Sequence, residues 1–381
     1  MLIVWLSLLT IVVIAVVLRD LILARAVPFL EPAAGPQTAP VSVLIPARDE
    51  ALRIGRLLDG LSAQSGTGVE VIVLDDHSSD GTGTLARQWA DRIPGLRVLA
   101  GETLPPDWVG KCWACWQAAQ ASRQPWLLFL DADTAPAPAL IATLMAHACR
   151  CKLDFLSLLP LLELESFSER LLLPPFAGII QAVFPLSKVN DPHSPIALAN
   201  GQCILVRREV YFATGGHAAV RNSVLEDVSL AQTIKAAGYR VGIAAGPDLL
   251  RVRMYTRLGE IAEGLRKNAW AGYSAGGWRS LWGGFRQALL AVAPLTVLPA
   301  GVIALALGFP GWPALIGFGL ILILVTNLYW GFTVLRVYRL NPLWGLLFPF
   351  GTLAYFILAG LAWISIRRGR GVQWKGRAYR G

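Results

Sequence analysis

Two carboxylates separated by one residue, Asp131 and Asp133, follow the apolar run Trp126–Leu130 in Phe129-Leu-Asp-Ala-Asp-Thr134. Acids at i and i+2 beyond a strand end can share a hard cation, Mg²⁺ or Mn²⁺, together with phosphate oxygens. Helix capping ahead of Pro136 is the competing role, and it needs only one of the two. A second pair, Asp75-Asp76, closes an apolar run in Leu74-Asp-Asp-His-Ser-Ser-Asp-Gly-Thr82. Adjacent carboxylates there can accept hydrogen bonds from a ribose hydroxyl or a base N–H. Ser78, Ser79 and Asp80 read equally well as helix caps, which accounts for one acid but not for both members of the pair. A third pair, Glu226-Asp227, lies in Arg221-Asn-Ser-Val-Leu-Glu-Asp-Val-Ser-Leu230. A carboxylate beside an attacking hydroxyl can take its proton, although acids at helix starts also serve the helix dipole. Two weaker candidates are Pro46-Ala47-Arg48-Asp49-Glu50, after another apolar run, and Gly110-Lys111, where a phosphate could approach a helix start. The latter lacks the GxxxxGK[ST] spacing of a P-loop.

The elements that must position these groups alternate. Short β-like runs (Val41–Ile45, Val69–Leu74, Leu96–Leu99, Trp126–Leu130, Phe155–Leu159) are separated by helical stretches (Glu50–Leu61, Thr82–Asp91, Lys111–Ala121, Ala139–Cys151). Such alternation predicts an α/β domain over 41–250 with a parallel sheet covered on both faces. Ligands of such sheets bind at the carboxyl ends of strands, where the acidic pairs fall.

The 381 residues are 55% hydrophobic and only 15% charged, below the roughly 25% of ordinary soluble domains. The deficit lies in long charge-free runs, which predicts a soluble domain joined to membrane spans. Leu2–Leu18 with Leu21–Leu23 approaches the length of a spanning helix, so 1–24 reads as an anchor. A cleaved signal peptide is the alternative, but Arg19 and Arg25 follow the run and none precedes it. That asymmetry places the N-terminus outside and the next domain in the cytoplasm. Pro28–Pro40, with four prolines, reads as a linker. Residues 256–285 mix Trp270, Tyr273, Trp278 and Trp282 with basic residues, which predicts an interfacial segment; core aromatics are the alternative. The region 286–366 then holds spans near 288–308 and 313–335 and a last run, Leu340–Ile366. Three full spans would put the basic tail, 367–381, outside. Pro349-Phe-Gly351 is therefore read as breaking the last run into a re-entrant hairpin, with a full span as the alternative.

The formal charge of +9 includes six basic residues in the last fifteen positions, directly after an apolar run. That placement suits anionic lipid and argues against a nucleic-acid surface. Cys112 and Cys115, and Cys149 and Cys151, have spacings that zinc can use, but buried packing is the more common fate of such cysteines. His77, His147, His193 and His217 show no metal-ligand spacing.

Taken together, Val41-Ser-Val-Leu-Ile-Pro-Ala-Arg-Asp-Glu50, Val71-Ile-Val-Leu-Asp-Asp-His-Ser-Ser-Asp-Gly-Thr82, Gly110-Lys111, Asp131-Ala-Asp133 and Glu226-Asp227 closely resemble glycosyltransferase family 2 over about 41–245. Asn200-Gly-Gln-Cys-Ile-Leu-Val-Arg-Arg208 and Gly215-Gly-His217 fit the same pattern. Trp108-Val-Gly-Lys-Cys-Trp-Ala114 and Val372-Gln-Trp-Lys-Gly-Arg377 resemble the membrane-bound branch linked to carotenoid or hopanoid glycosylation. The resemblance implies a GT-A (Rossmann-like) fold and inverting, metal-dependent transfer from a nucleotide-sugar, a UDP-sugar, to a lipid or isoprenoid acceptor at the cell membrane. It implies that Asp75 and Asp76 hold the nucleoside, with Ala47, Arg48 and Glu50 lining the same pocket. Lys111 joins these as a phosphate contact from its place after Gly110. The resemblance also makes Asp131 and Asp133 the metal site, Asp227 the base and Glu226 its support at the acceptor. Processive members carry Gln-x-x-Arg-Trp near the membrane, whereas this chain reads Glu263-Gly-Leu-Arg-Lys-Asn268, which favours transfer of a single sugar. Two other readings compete: a nucleotidyl- or phosphosugar transferase, which would need a Gly-rich loop at the first strand, and a non-enzymatic membrane scaffold or transport component that senses nucleotide.

Overall fold

The computed structural model describes the backbone of residues 1–25, 27–33, 40–64, 68–368, 372–374 and 377–379. Side chains are described for these residues except 270–276, 366, 372–374 and 377–379. The expectations for Trp270 and Tyr273, and for the tail residues Arg370, Lys375, Arg377 and Arg380, therefore lie outside the described side chains. The chain forms two compact units, each assembled from discontinuous segments: one from Val27–Glu163 and Leu186–Met254, the other from Met1–Ala26, Leu164–Pro185 and Tyr255–Gly381.

The first unit is a mixed α/β domain. Its main sheet has seven strands: β1 (Val41–Ala47), β2 (Val69–Asp75), β3 (Leu96–Ala100), β4 (Trp126–Leu130), β6 (Phe155–Leu159), β8 (Cys203–Arg207) and β9 (Val241–Ala245). They are ordered β3-β2-β1-β4-β8-β6-β9. A small sheet is built from β5 (Thr134–Pro136), β7 (Leu161–Leu162) and β10 (Leu250–Val252), in the order β5-β10-β7. Strand side chains alternate faces, and both faces here are apolar. Val43, Ile45, Val71 and Val73 pack on one side, and Leu44, Ile72, Leu127 and Phe129 on the other. This is why the strands read as unbroken hydrophobic runs rather than alternating ones.

The sheet departs from the all-parallel expectation. β3, β2, β1 and β4 are parallel, but β8 runs antiparallel to both β4 and β6. The chain leaves β1 toward β2 and β3, then returns to place β4 on the other side of β1. This reversal opens a crevice at the carboxyl ends of β1 and β4. The first part of the Pro-rich linker joins the domain: Phe29 bridges to Ala245, and the Ala33 N–H donates to Thr143 Oγ1 at 2.9 Å.

Among the described residues, the second unit holds four helices long and apolar enough to cross a membrane: Leu2–Ala24, Trp278–Ala306, Trp312–Tyr338 and a last segment, Pro342–Ser365. On the first, the buried positions Leu6, Thr10, Val13 and Val17 recur every three or four residues, so one stripe packs on neighbours while the rest stays apolar and exposed. Small residues bring two spans into close contact, since a Cβ at Gly319 would lie 2.7 Å from the Leu298 backbone. Arg286, 3% exposed, forms an ion pair with Asp20 and donates to the Gly178 carbonyl, while Tyr329 donates to Asp20 at 3.2 Å.

One reading of this region is corrected. The last apolar run is not a hairpin. A short 3₁₀ turn, Pro342–Leu347, leads into one helix, Phe348–Arg367. Pro349 falls in that helix's first turn, where a missing N–H breaks no internal bond, so it starts the helix instead of breaking it. The stretch 256–285 divides between a helix Leu258–Gly276 and the first two turns of Trp278–Ala306. A further helix, Phe167–Val183, closed by a Ser166/Glu169 capping box, belongs to this unit although the sequence places it inside the α/β region.

Candidate active site

The candidate residues fall into two adjoining groups at the carboxyl ends of β1, β2 and β4. β1 and β2 pair in register with Ala47 opposite Asp75, so their polar extensions emerge together. The Ala47 carbonyl accepts from the Asp76 N–H at 2.8 Å. Asp76 is buried, and Arg48 Nη1 lies 3.5 Å from its Oδ2. Asp75 accepts from Ser78 N–H at 3.0 Å, and Glu50 pairs with Arg53 at 3.2 Å. The two loops are laced to each other. Asp49, at φ +53°, accepts from the Ser79 N–H at 2.7 Å and from its hydroxyl at 3.1 Å. The Glu50 N–H donates to Thr82 Oγ1 at 2.8 Å, and the Ala51 N–H to Asp80 Oδ2 at 2.9 Å. Slight burial of Asp80 works against its charge, but the Thr82 hydroxyl and these backbone donors hold its carboxyl below the usual range.

The second group lines a cavity with Lys111, Asp131, Gly201, His217, Glu226 and Asp227 in its wall. Pro46 of β1, next to Ala47, is also in the wall and makes the two groups contiguous. Lys111 opens the second position of the helix Gly110–Ala121 and places Nζ 2.9 Å from Asp131 Oδ1, 3.1 Å from Asp131 Oδ2 and 2.9 Å from Glu226 Oε1. Burial of the ammonium works against its charge, but the Asp131 and Glu226 carboxylates outweigh that and hold it well above the usual lysine range. Lys111, expected as a phosphate contact, is thus the link between Asp131 and the acid pair. Asp133 is half-buried on the turn after Asp131. That turn is closed by Thr134, which donates to the Asp131 carbonyl through Oγ1 at 2.8 Å.

Asp227 sits in the first turn of the helix Glu226–Ala236. Its Oδ2 accepts from the Gly201 N–H at 2.7 Å and its Oδ1 from the Val228 N–H at 2.8 Å. Gly201 is set by an Asn200–Gln202 turn, in which Asn200 Nδ2 donates to Gln202 Oε1 and the Asn200 N–H to Ser157 Oγ. A Cβ at 201 would lie 3.2 Å from both Asp227 Oδ2 and Lys111 Nζ, so only glycine lets the turn close on them. Burial and the neighbouring Glu226 push the Asp227 carboxyl up to about 6, against the pull of Lys111 and the two N–H donors. A carboxyl there ionises near neutral pH while remaining basic enough to accept a proton.

Asp131 and Asp133 are suited to a divalent ion, and Asp131 already has both carboxylate oxygens directed at a cation, the Lys111 ammonium. Among the described residues no group of three or more His, Cys, Asp or Glu is arranged as a metal cage. The protein therefore offers two oxygen ligands, and a bound diphosphate would have to complete the set. All five cysteines are free thiols; burial pushes those of Cys112, Cys115 and Cys203 well above the usual thiol range, so they pack as small apolar groups.

Sequence reasoning missed the Lys111 bridge and the place of His217 in the cavity wall. It also passed over Gly272-Tyr-Ser-Ala-Gly276, a Gly-x-Ser-x-Gly pattern. These residues end the helix Leu258–Gly276 and so do not form the strand-to-helix elbow that such a nucleophile requires.

A mixed α/β sheet with acid pairs at a strand-order reversal is the architecture of the GT-A class. Residues 42–228 match the sequence model of glycosyl transferase family 2, and the chain carries a domain of that family. A 4,4'-diaponeurosporenoate glycosyltransferase of Staphylococcus haemolyticus (strain JCSC1435) is 29% identical over 231 residues, 58% of each chain. That of Staphylococcus aureus (strain MRSA252) is 27% identical over 225 residues, 56% of each. The matched region thus spans little more than half the length of these relatives. Among solved structures, the mannosyltransferase PcManGT of Pyrobaculum calidifontis, in complex with GDP-Man and Mn²⁺, superposes with a TM-score of 0.51 at 21% identity. The superposition covers 84% of this chain and 97% of that one, and at this identity it speaks to the fold.

Proposed function

We propose that this protein is an inverting glycosyltransferase that moves a single sugar from a nucleoside-diphosphate sugar, a UDP-sugar, to an isoprenoid or lipid acceptor at the cell membrane. The observation that carries the reading is the convergence of Lys111, Asp131, Glu226 and Asp227 on one cavity. The family domain and the names of the relatives, which specify glycosylation of an isoprenoid acid, support the acceptor class. The four apolar helices keep the enzyme where such acceptors reside. Arg19 and Arg25 after the first span support a cytoplasmic catalytic domain.

In this mechanism Arg48, Asp76 and the laced loops around them hold the nucleoside, with Ala47, Glu50 and Asp75 shaping the pocket. Asp131 and Asp133 would hold Mg²⁺ or Mn²⁺, which supplies Lewis-acid stabilisation of the departing diphosphate. Lys111 offers fixed positive charge beside the same carboxylates, a term that is large in a water-poor cleft. Asp227 accepts the proton of an acceptor hydroxyl as its oxygen attacks the anomeric carbon opposite the leaving group; a carboxylate acceptor attacks without proton transfer. The negative charge of Glu226, together with burial, keeps the Asp227 carboxyl basic. A screen of UDP- and GDP-sugars with membranes containing the full-length protein, followed by mass spectrometry of the lipid extract, tests the reading. A new glycosylated lipid is expected, whereas nucleotide binding without sugar transfer or release would favour the sensing scaffold.

A further inference from the structure

We propose that His217 is an acceptor-orienting residue whose Nε2–H, fixed as the donor by Tyr211, holds the attacking oxygen of the acceptor beside Asp227. The inference rests on the glycosyltransferase reading of this site and assigns a residue for which that reading has no role.

His217 is 3% exposed and lines the cavity with Glu226 and Asp227. Tyr211, fully buried, lies beneath it with its hydroxyl 2.8 Å from His217 Nδ1. The His217 backbone N–H also donates to that hydroxyl, at 3.1 Å, and so uses one of its lone pairs. Two arrangements remain. If Nδ1 carried the proton, the phenol would accept twice and its own hydrogen would be buried without an acceptor, at a cost of roughly 1–3 kcal/mol. If the phenol donates to Nδ1, every group at this contact is satisfied. The second arrangement puts the imidazole proton on Nε2. Burial pushes the Tyr211 hydroxyl well above its usual range, so the phenol keeps its proton to donate.

The surrounding chain is built for this contact. Gly215 and Gly216 take φ of +80° and +50°, and a Cβ at Gly216 would lie 2.4 Å from the Tyr211 ring. Only glycine at 216 lets the phenol slide under the histidine. Phe129 packs edge-on to the imidazole with ring centroids 5.1 Å apart, which fixes the ring plane.

The other donors in the wall are committed. Lys111 is shared between Asp131 and Glu226, and the Gly201 N–H is bonded to Asp227. Among the described residues, His217 Nε2–H is thus an uncommitted N–H in a wall whose other polar side chains are Lys111 and the carboxylates Asp131, Glu226 and Asp227. A nucleophilic oxygen entering beside Asp227 and Glu226 meets like-charged or lone-pair-bearing neighbours and needs such a donor. A neutral donor serves a hydroxyl and a carboxylate alike. Burial pushes the imidazole down to about 4, so it stays neutral across physiological pH.

The test uses full-length protein in detergent, the sugar donor found active in the screen, and two probes, farnesol and farnesoic acid. A glutamine amide nitrogen can stand in for Nε2–H, whereas phenylalanine keeps the bulk and removes the donor. His217→Phe is expected to raise KM for both probes and lower kcat/KM at least tenfold, with donor hydrolysis by water and donor KM within twofold of wild type. His217→Gln is expected to recover most of that loss. Tyr211→Phe, which frees the tautomer, is expected to fall between the two. Equal activities for the Phe and Gln variants, or a loss that appears in donor KM instead, would overturn the role of His217 and leave the enzyme reading standing. A wild-type protein that neither hydrolyses nor transfers any donor sugar would overturn both.

Discussion

The two ends of the cleft are held by different physics. At the β1–β2 end, carboxylates and hydroxyls are tied mainly to backbone N–H groups of the opposing loop: Asp49 to Ser79, Asp80 to Ala51, Thr82 to Glu50. At the other end, charges answer charges. One ammonium, Lys111, serves Asp131 and Glu226, and the adjacent Asp227 is left with an elevated pKa. Hydrogen-bonded loops give shape, which suits selection of a nucleoside. Opposed buried charges give reactivity, because each group's protonation depends on its neighbours. The same residue type therefore does different work a few ångströms apart, and substitutions at the two ends should fail in different ways.

The largest failure is expected at Asp227. Asp227→Asn keeps the shape and the Gly201 contact but cannot accept a proton, so transfer to farnesol should fall on the order of 10²- to 10⁴-fold. Donor KM should stay within about twofold. Steady-state kinetics with each substrate varied separates the two. Chelation comes next: EDTA should suppress transfer strongly, and Mn²⁺ or Mg²⁺ should restore it. Asp131→Ala should abolish that restoration, and an unchanged metal response in this variant would break the assignment.

A smaller effect sharpens the electrostatic half of the comparison. A base at Asp227, as proposed, must be ionised, and burial with Glu226 raises its carboxyl to about 6. The rate with farnesol should therefore fall as pH drops through about 6, approaching tenfold per unit below it. Lys111 pulls that carboxyl down, so Lys111→Met should move the acid limb upward by about one unit. A pH profile in which the limb stays fixed would remove Lys111 from the charge network. The smallest effect belongs to the laced loops. Asp49→Ala removes two hydrogen bonds and replaces a side chain that tolerates φ +53° better than alanine, and should lower thermal stability by about 1–2 kcal/mol. Donor KM should rise a few-fold with kcat nearly unchanged.

The strands and the acid pairs were legible in the sequence because each is local. An apolar run ending in two carboxylates is visible without knowing what pairs with it. β8 was not legible, since antiparallel insertion between β4 and β6 is decided by contacts distant in sequence. Phe167–Val183 escaped because its two prolines and charges match no span, and its assignment to the helical unit depends on packing rather than composition. Lys111 and His217 were visible as residue types, but their roles depend on partners twenty or more residues away in one case and on a phenol beneath the ring in the other. Pro349 misled for a simpler reason: proline breaks a helix interior but not its first turn.

The buried pair of Asp20 with Arg286 has a consequence for how the protein is made. The ribosome delivers the first span, with its acid near the end, long before the residue that neutralises it. Until Arg286 arrives, that acid must stay near headgroups and water, since an unpaired charge is poorly tolerated in hydrocarbon. The first helix therefore has its own insertion but not its final seat until most of the chain has been synthesised. Exchanging the two residues, Asp20→Arg with Arg286→Asp, should restore expression lost in either single variant.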